Sequence, residues 1–143
     1  MLVSIMTISR TIDRDLKLII NRYSGVISFD MFLDHMQNFG TMIEPELRCL
    51  VIFEDDTDFS QVSGDDLIAL ASKSPLLSKQ IYTVNIASDS LTFGLSRLFS
   101  SYGSSDNMKI VKTLEEGCEL LNISVDDFIH SHNKQKCKPN SAN

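Results

Sequence analysis

Two spacings divide the chain into strand-like and helix-like stretches. Leu16 to Tyr23 (LKLIINRY) alternates in the manner of a strand, and Ser24-Gly25 reads as the turn that ends it. Ile5 to Ile8 predicts a short strand before it, paired antiparallel across a turn at Arg10–Asp15. Phe29, Phe32, Leu33, Met36 and Phe39 then recur at helical spacing, with Ser28 as N-cap and Gly40 as C-cap. Leu47 to Phe53 (LRCLVIF) is almost continuously apolar, as a strand buried on both faces must be. A helix carrying Leu67, Ile68, Leu70 and Ala71 follows, capped by Ser63 with Asp66 at the capping-box position and ended near Pro75.

Gln80 to Ser88 predicts another strand. Asp89 caps a helix with Leu91, Leu95, Leu98, Phe99 and Tyr102 on one face, and Gly103-Ser104-Ser105 breaks it. Met108 to Val111 predicts a short strand. Thr113 with Glu116 and Ser124 with Asp127 are two further capping boxes, the second opening a terminal helical extension with Phe128 and Ile129. The order β, β, α, β, α, β, α, β, α predicts an α/β fold, a mixed sheet of four to five strands covered by about four helices. No repeat or linker divides it, so residues 1–132 read as one domain and 133–143 as a disordered polar tail.

Composition changes this picture little. With 143 residues, 43% of them hydrophobic, the chain is long enough to bury roughly 68–70% of its unfolded surface. The net charge is −6, and the polar tail holds three of the 13 basic residues, leaving 10 against 19 acidic ones in the body. So acidic a body disfavours a phosphate backbone, and no nucleic-acid partner is expected. Met1 to Arg10 lacks a basic n-region and a cleavage site, and no apolar run approaches a membrane span, which predicts a cytoplasmic protein. Cys49, Cys118 and Cys137 form no CxxC pair. The first two read as core thiols, the third as an exposed tail residue.

The search for chemistry returns mostly absences. No Gly-rich phosphate loop, nucleophile elbow or HExxH motif is present. His130 and His132 lie two apart on a helix and do not share a face, so with His35 they make no metal set. The acidic run Glu54, Asp55, Asp56, Asp58, Asp65, Asp66 fails as a calcium loop: counted from Asp56, the sixth position is Gln61 and the twelfth Leu67, where glycine and glutamate are needed. The run reads as a solvated face or a surface for a basic partner. No enzyme activity, metal or cofactor is expected.

Several segments, in order, resemble a STAS-type domain, the fold of anti-anti-sigma factors. The resemblance is nearest to the bacterial STAS-like proteins grouped with lipid-binding Sec14-like domains. Ser24-Gly25-Val26-Ile27-Ser28 resembles the strand–glycine–capped-helix opening, Leu47 to Phe53 the central strand, and Phe59 to Gly64 (FSQVSG) the loop into the second helix. Gly94 to Phe99 (GLSRLF) resembles the third helix, and Ile110-Val111 with Thr113 to Gly117 the last strand and helix. The match runs over about residues 5 to 122. In anti-anti-sigma factors a serine before a glycine at the start of the second helix is phosphorylated by a partner kinase. The corresponding serine here is Ser63, before Gly64; where the family usually has aspartate two residues earlier, this chain has Gln61.

Ser63 therefore has two readings. As a switch, a phosphate there would add about −1.5 to −2 charge at a helix N-terminus. As a plain cap it satisfies helix N–H groups. The resemblance implies a non-catalytic interaction module in bacterial regulation, meeting a regulatory protein partner through Asp58, Ser60, Gly64, Asp65, Asp66 and Leu67. The alternative is a carrier or sensor of a small apolar ligand or lipid, in a pocket walled by Phe32, Met36, Leu95 and Phe99. A homodimer is compatible with either, since small domains often form two-fold pairs.

Overall fold

The computed structural model describes residues 6–39, 44, 46–73, 81–102 and 107–132. A five-stranded sheet runs in the order β1 (Thr7–Asp13), β2 (Leu18–Ser24), β3 (Arg48–Phe53), β4 (Thr83–Ala87), β5 (Met108–Val111). β1 is antiparallel to β2, and each later neighbour is parallel. The helices are α1 (Phe29–Phe39), α2 (Gly64–Lys73), α3 (Ser90–Tyr102), α4 (Leu114–Leu121) and α5, residues 125–132. The chain is thus an α/β fold with a mixed sheet.

Because each parallel strand is added beside the last, every crossover turns the same way and lays its helix on the same face. Packing shows this directly. Ile19, Tyr23, Cys49, Val51 and Phe53 face α1, α2 and α3 in one apolar cluster. Leu18, Ile20, Leu50, Ile52, Val84 and Ile86 face Cys118, Leu121 and Phe128 in another. α4 and α5, which follow β5, cover the opposite face. The near-continuous apolar run of β3 follows from this: from Cys49 to Phe53 every side chain is buried.

The hairpin differs from its sequence expectation. β1 extends to Asp13, and the turn is Arg14–Lys17, closed by Leu16 N–H donating to Asp13 Oδ1 and by a left-handed Lys17 (φ 58°). An edge strand buries only one side of its alternation, so the polar half of TISRTID hides it. Ile5 lies outside the described residues, as do Gly40, Pro75, Gly103-Ser104-Ser105, Cys137 and the tail 133–143.

Three capping expectations are met in detail. Ser63 Oγ accepts from Asp66 N–H (3.0 Å) while Asp66 Oδ2 accepts from Ser63 N–H (3.1 Å), a closed capping box. Thr113 Oγ1 accepts from Glu116 N–H, but the Glu116 carboxylate reaches one residue further back, to Lys112 N–H. Asp89 Oδ2 accepts from Thr92 N–H at the start of α3. α4 ends on a left-handed Asn122, whose N–H donates to Glu119 O, while Ile123 N–H donates to Cys118 O. Arg48 donates to Leu121 O and Leu16 O, tying that helix end to the sheet.

The third helix is rotated from the expected face. Leu91 and Leu98 are exposed, whereas Thr92 and Ser96 are buried, with Phe93, Leu95 and Phe99 partly so. Small polar residues four apart let α3 lie close to the sheet, and Thr92 Oγ1 donates to Asp89 Oδ2 (3.2 Å), which removes the cost of burying it. Ile68, expected on the apolar side of α2, is also exposed.

Candidate functional site

The loop after β3 is built against the end of β2. Gly25 adopts φ 81°, a backbone state that favours glycine, and its carbonyl accepts from Asp58 N–H (2.9 Å). Ile27 N–H donates to Asp58 O (2.8 Å), and the Thr57 hydroxyl sits between Tyr23 O and Glu54 O at 3.0 and 2.6 Å. These bonds fold the acidic loop back over the sheet and drive Phe59 inward, where it meets Phe53 and Phe32 edge-on.

Beneath Phe59 lies an apolar cavity between the sheet and α1–α3. The sheet contributes Tyr23, Val51, Phe53, Asn85 and Met108; α1 contributes Phe32 and Met36; α2 contributes Leu67; α3 contributes Leu95, Ser96 and Phe99. The four residues expected to wall an apolar pocket, Phe32, Met36, Leu95 and Phe99, thus stand around one space. The cavity gives ligand atom centres about 60 Å³, inside a cleft of about 530 Å³ between atom surfaces out to its mouth. An engineered apolar cavity of about 150 Å³ accepts benzene. Admitting a ring here therefore means displacing side chains, and Met36 and Met108 are the flexible ones.

Among the described residues, no charged side chain lines the cavity. Its polar groups are the Asn85 amide, the Ser96 hydroxyl and the Tyr23 phenol. Burial pushes the Tyr23 pKa well up, so the phenol is neutral. Asn85 is 5% exposed; its Nδ2 donates weakly to Met108 Sδ (3.7 Å), and its Oδ1 has no hydrogen-bond partner among the described residues. An unmet buried acceptor costs about 1–3 kcal/mol. Neither Asn85 nor Ser96 stood out in the sequence, since a polar residue inside a strand or helix ordinarily reads as its solvent side.

The surface residues divide differently. Ser63, Gly64 and Asp65 are exposed, as is Ser60, while Asp58 and Asp66 are half-buried. Leu67, expected on this surface, is 4% exposed and lines the cavity: the α2 apolar face begins there, so it belongs to the core. Much of the acidic run serves local structure. Asp58 Oδ1 accepts from Ser60 N–H, which lowers its pKa. Glu54 pairs with Arg22 (3.2 Å), and Asp55 accepts from Ser88 Oγ. Substituting Ser63→Ala opens the capping box and is expected to cost about 1 kcal/mol, read as a lower melting temperature. Ser63→Asp, itself a good N-cap, is expected to stay near the wild type. An unchanged melt in Ser63→Ala would mean that the cap contributes nothing.

The remaining titratable groups lie elsewhere. Cys49 and Cys118 are buried free thiols; burial raises both, Cys49 to about 12, so neither is nucleophilic at neutral pH. His132 is buried against Asp13 Oδ2 (2.9 Å), while His130 is exposed. Among the described residues, no three His, Cys, Asp or Glu side chains are grouped as a metal site, and no helix is long and apolar enough to cross a membrane. No protein-family model matches the chain, and none of the curated proteins compared with it is significantly similar.

Proposed function

We propose that this chain is a non-catalytic binding module of the STAS-like and Sec14-like kind, which holds one small apolar ligand between its sheet and α1–α3. The cavity walled by Phe32, Met36, Leu95 and Phe99 carries this reading. The one-way winding of the sheet, with all three crossover helices on one face, supports the STAS-like assignment. The described wall residues are all uncharged, which favours an uncharged ligand, because a buried ion without a partner is costly.

The reading as a regulatory interaction module rests on α2. Its exposed end, Ser63 to Asp65, is one turn from Leu67 in the cavity wall. A partner docking on that end, with Asp58 and Ser60 beside it, would meet a helix whose seating depends on what the cavity holds. The two readings then describe one device, a cytoplasmic sensor whose signal leaves through α2.

Toluene titrated into protein with ¹³C-labelled methionine methyls tests the cavity. The Met36 and Met108 signals are expected to shift saturably, while exposed Met31 stays in place. Leu95→Trp, which fills the space, is expected to abolish the response. Unmoved Met36 and Met108 signals up to the solubility of toluene would overturn the reading.

A further inference from the structure

Asn21 and Asn85 occupy one row across the sheet: Asn21 is in register with Val51, and Val51 with Asn85. Both are almost wholly buried. Both amide nitrogens make a weak bond to sulfur, Asn21 Nδ2 to Cys49 Sγ at 3.8 Å, but the fold gives the first a donor for its oxygen: Arg10 Nε donates to Asn21 Oδ1 at 2.9 Å. It leaves the second half-met. Asn85 Nδ2 is turned to Met108, and Oδ1 is, among the described residues, the one buried side-chain oxygen or nitrogen without a partner. A buried polar atom in a native fold is ordinarily paired, so an orphan in a cavity wall marks the place where something else supplies the donor.

We infer that Asn85 is the polar anchor of the cavity, and that its ligand is an uncharged aromatic molecule carrying one O–H or N–H donor. Three features set this class. The orphan is an acceptor, so the ligand must donate. The described wall residues carry no charge, which disfavours a carboxylate or an ammonium group. The rings of Phe32, Phe53 and Phe59 already meet edge-on, and Tyr23 stacks on Phe53 at 5.4 Å, a lining into which a further ring packs by the same geometry.

This inference rests on the proposed binding reading and names its ligand class. Phenol and toluene are nearly the same shape and differ in the donor. Both are titrated, by the same methionine-methyl signals, into the wild type and into Asn85→Leu. Phenol affinity is expected to fall by about tenfold in the variant while toluene affinity holds or rises. If both ligands bind but their affinity ratio is the same in the two proteins, the anchor is disproved and the cavity reading survives. If neither ligand moves the signals, both fall. Should Asn85→Leu fail to fold, the wild type still decides: toluene is the more hydrophobic, so phenol binding markedly weaker than toluene overturns the anchor, and phenol binding at least as tightly supports it.

Discussion

Phe128→Ala is expected to lower the unfolding free energy by about 3–5 kcal/mol, the range for truncating a fully buried aromatic side chain. Phe128 is 1% exposed and fills the second apolar cluster with Leu18, Leu50, Cys118 and Leu121. Its ring also lies 4.7 Å from that of His132, whose Nε2 meets Asp13 Oδ2. Phe128 thus fastens α5 to the sheet and to α4, and it backs the His132 ring that meets Asp13 at the end of β1. Thermal unfolding should remain a single transition, with a midpoint lower by roughly 10 °C or more. If α5 were a separate appendage, the main transition would stay in place and only helical signal would be lost. Phe128 lies across the sheet from the cavity, so the same variant, kept below its transition, should bind toluene as the wild type does.

The sequence exposed most of this frame, for definite physical reasons. A strand buried on both faces must be apolar throughout, and Cys49 to Phe53 says so without ambiguity. Capping boxes need particular residues three apart, and Ser63/Asp66 and Thr113/Glu116 fulfil that requirement. What stayed hidden was the choice between faces that tertiary packing makes. α3 offers more apolar residues than one face can hold. Close approach to the sheet selected Thr92 and Ser96 for the inside and left Leu91 and Leu98 in water.

The cavity was half legible for the same reason. Phe32, Met36, Leu95 and Phe99 were visible as apolar positions on two helices, and the alternating α/β order put both helices on the sheet. That Leu67 joins them depends on where α2 begins to pack. That Asn85 Oδ1 stands bare among them depends on register, which sets Ile110 opposite it and Met108 beside its Nδ2, and on there being, among the described residues, no counterpart of Arg10. An asparagine between Val84 and Ile86 announces no more in sequence than Asn21 between Ile20 and Arg22, and only the partners separate them.

Arg10 supplies the second large effect. Its guanidinium donates to Asn21 Oδ1 (2.9 Å) and to the His35 ring Nε2 (2.5 Å), and it lies 4.5 Å from the centre of the Phe39 ring. Arg10→Met keeps an apolar stem over Phe39 but strips Asn21, 1% exposed, of its donor. An unmet buried acceptor and a lost cation–ring contact are partly offset by relief from burying the cation, whose pKa burial lowers. The net is about 2–3 kcal/mol of destabilisation. The same contact shapes acid behaviour. Burial first, and the Arg10 charge second, hold the His35 pKa down at about 4 against an ordinary 6.5, with Asp34 opposing. The folded ring therefore resists a proton that the unfolded chain accepts, so stability is full above pH 6.5, falls towards pH 4 and levels below it. The ring is half-buried, and solvent screening reduces the difference to about 1 kcal/mol. Urea unfolding at pH 7.5 and pH 4.5 should show this loss in the wild type, a smaller one in Arg10→Met, where burial alone remains, and the smallest in His35→Gln. A wild-type midpoint that does not move between the two pH values would refute the assignment of His35. An Arg10→Met variant as stable as the wild type at pH 7.5 would show that Asn21 finds its donor elsewhere, and would remove the contrast that singles out Asn85.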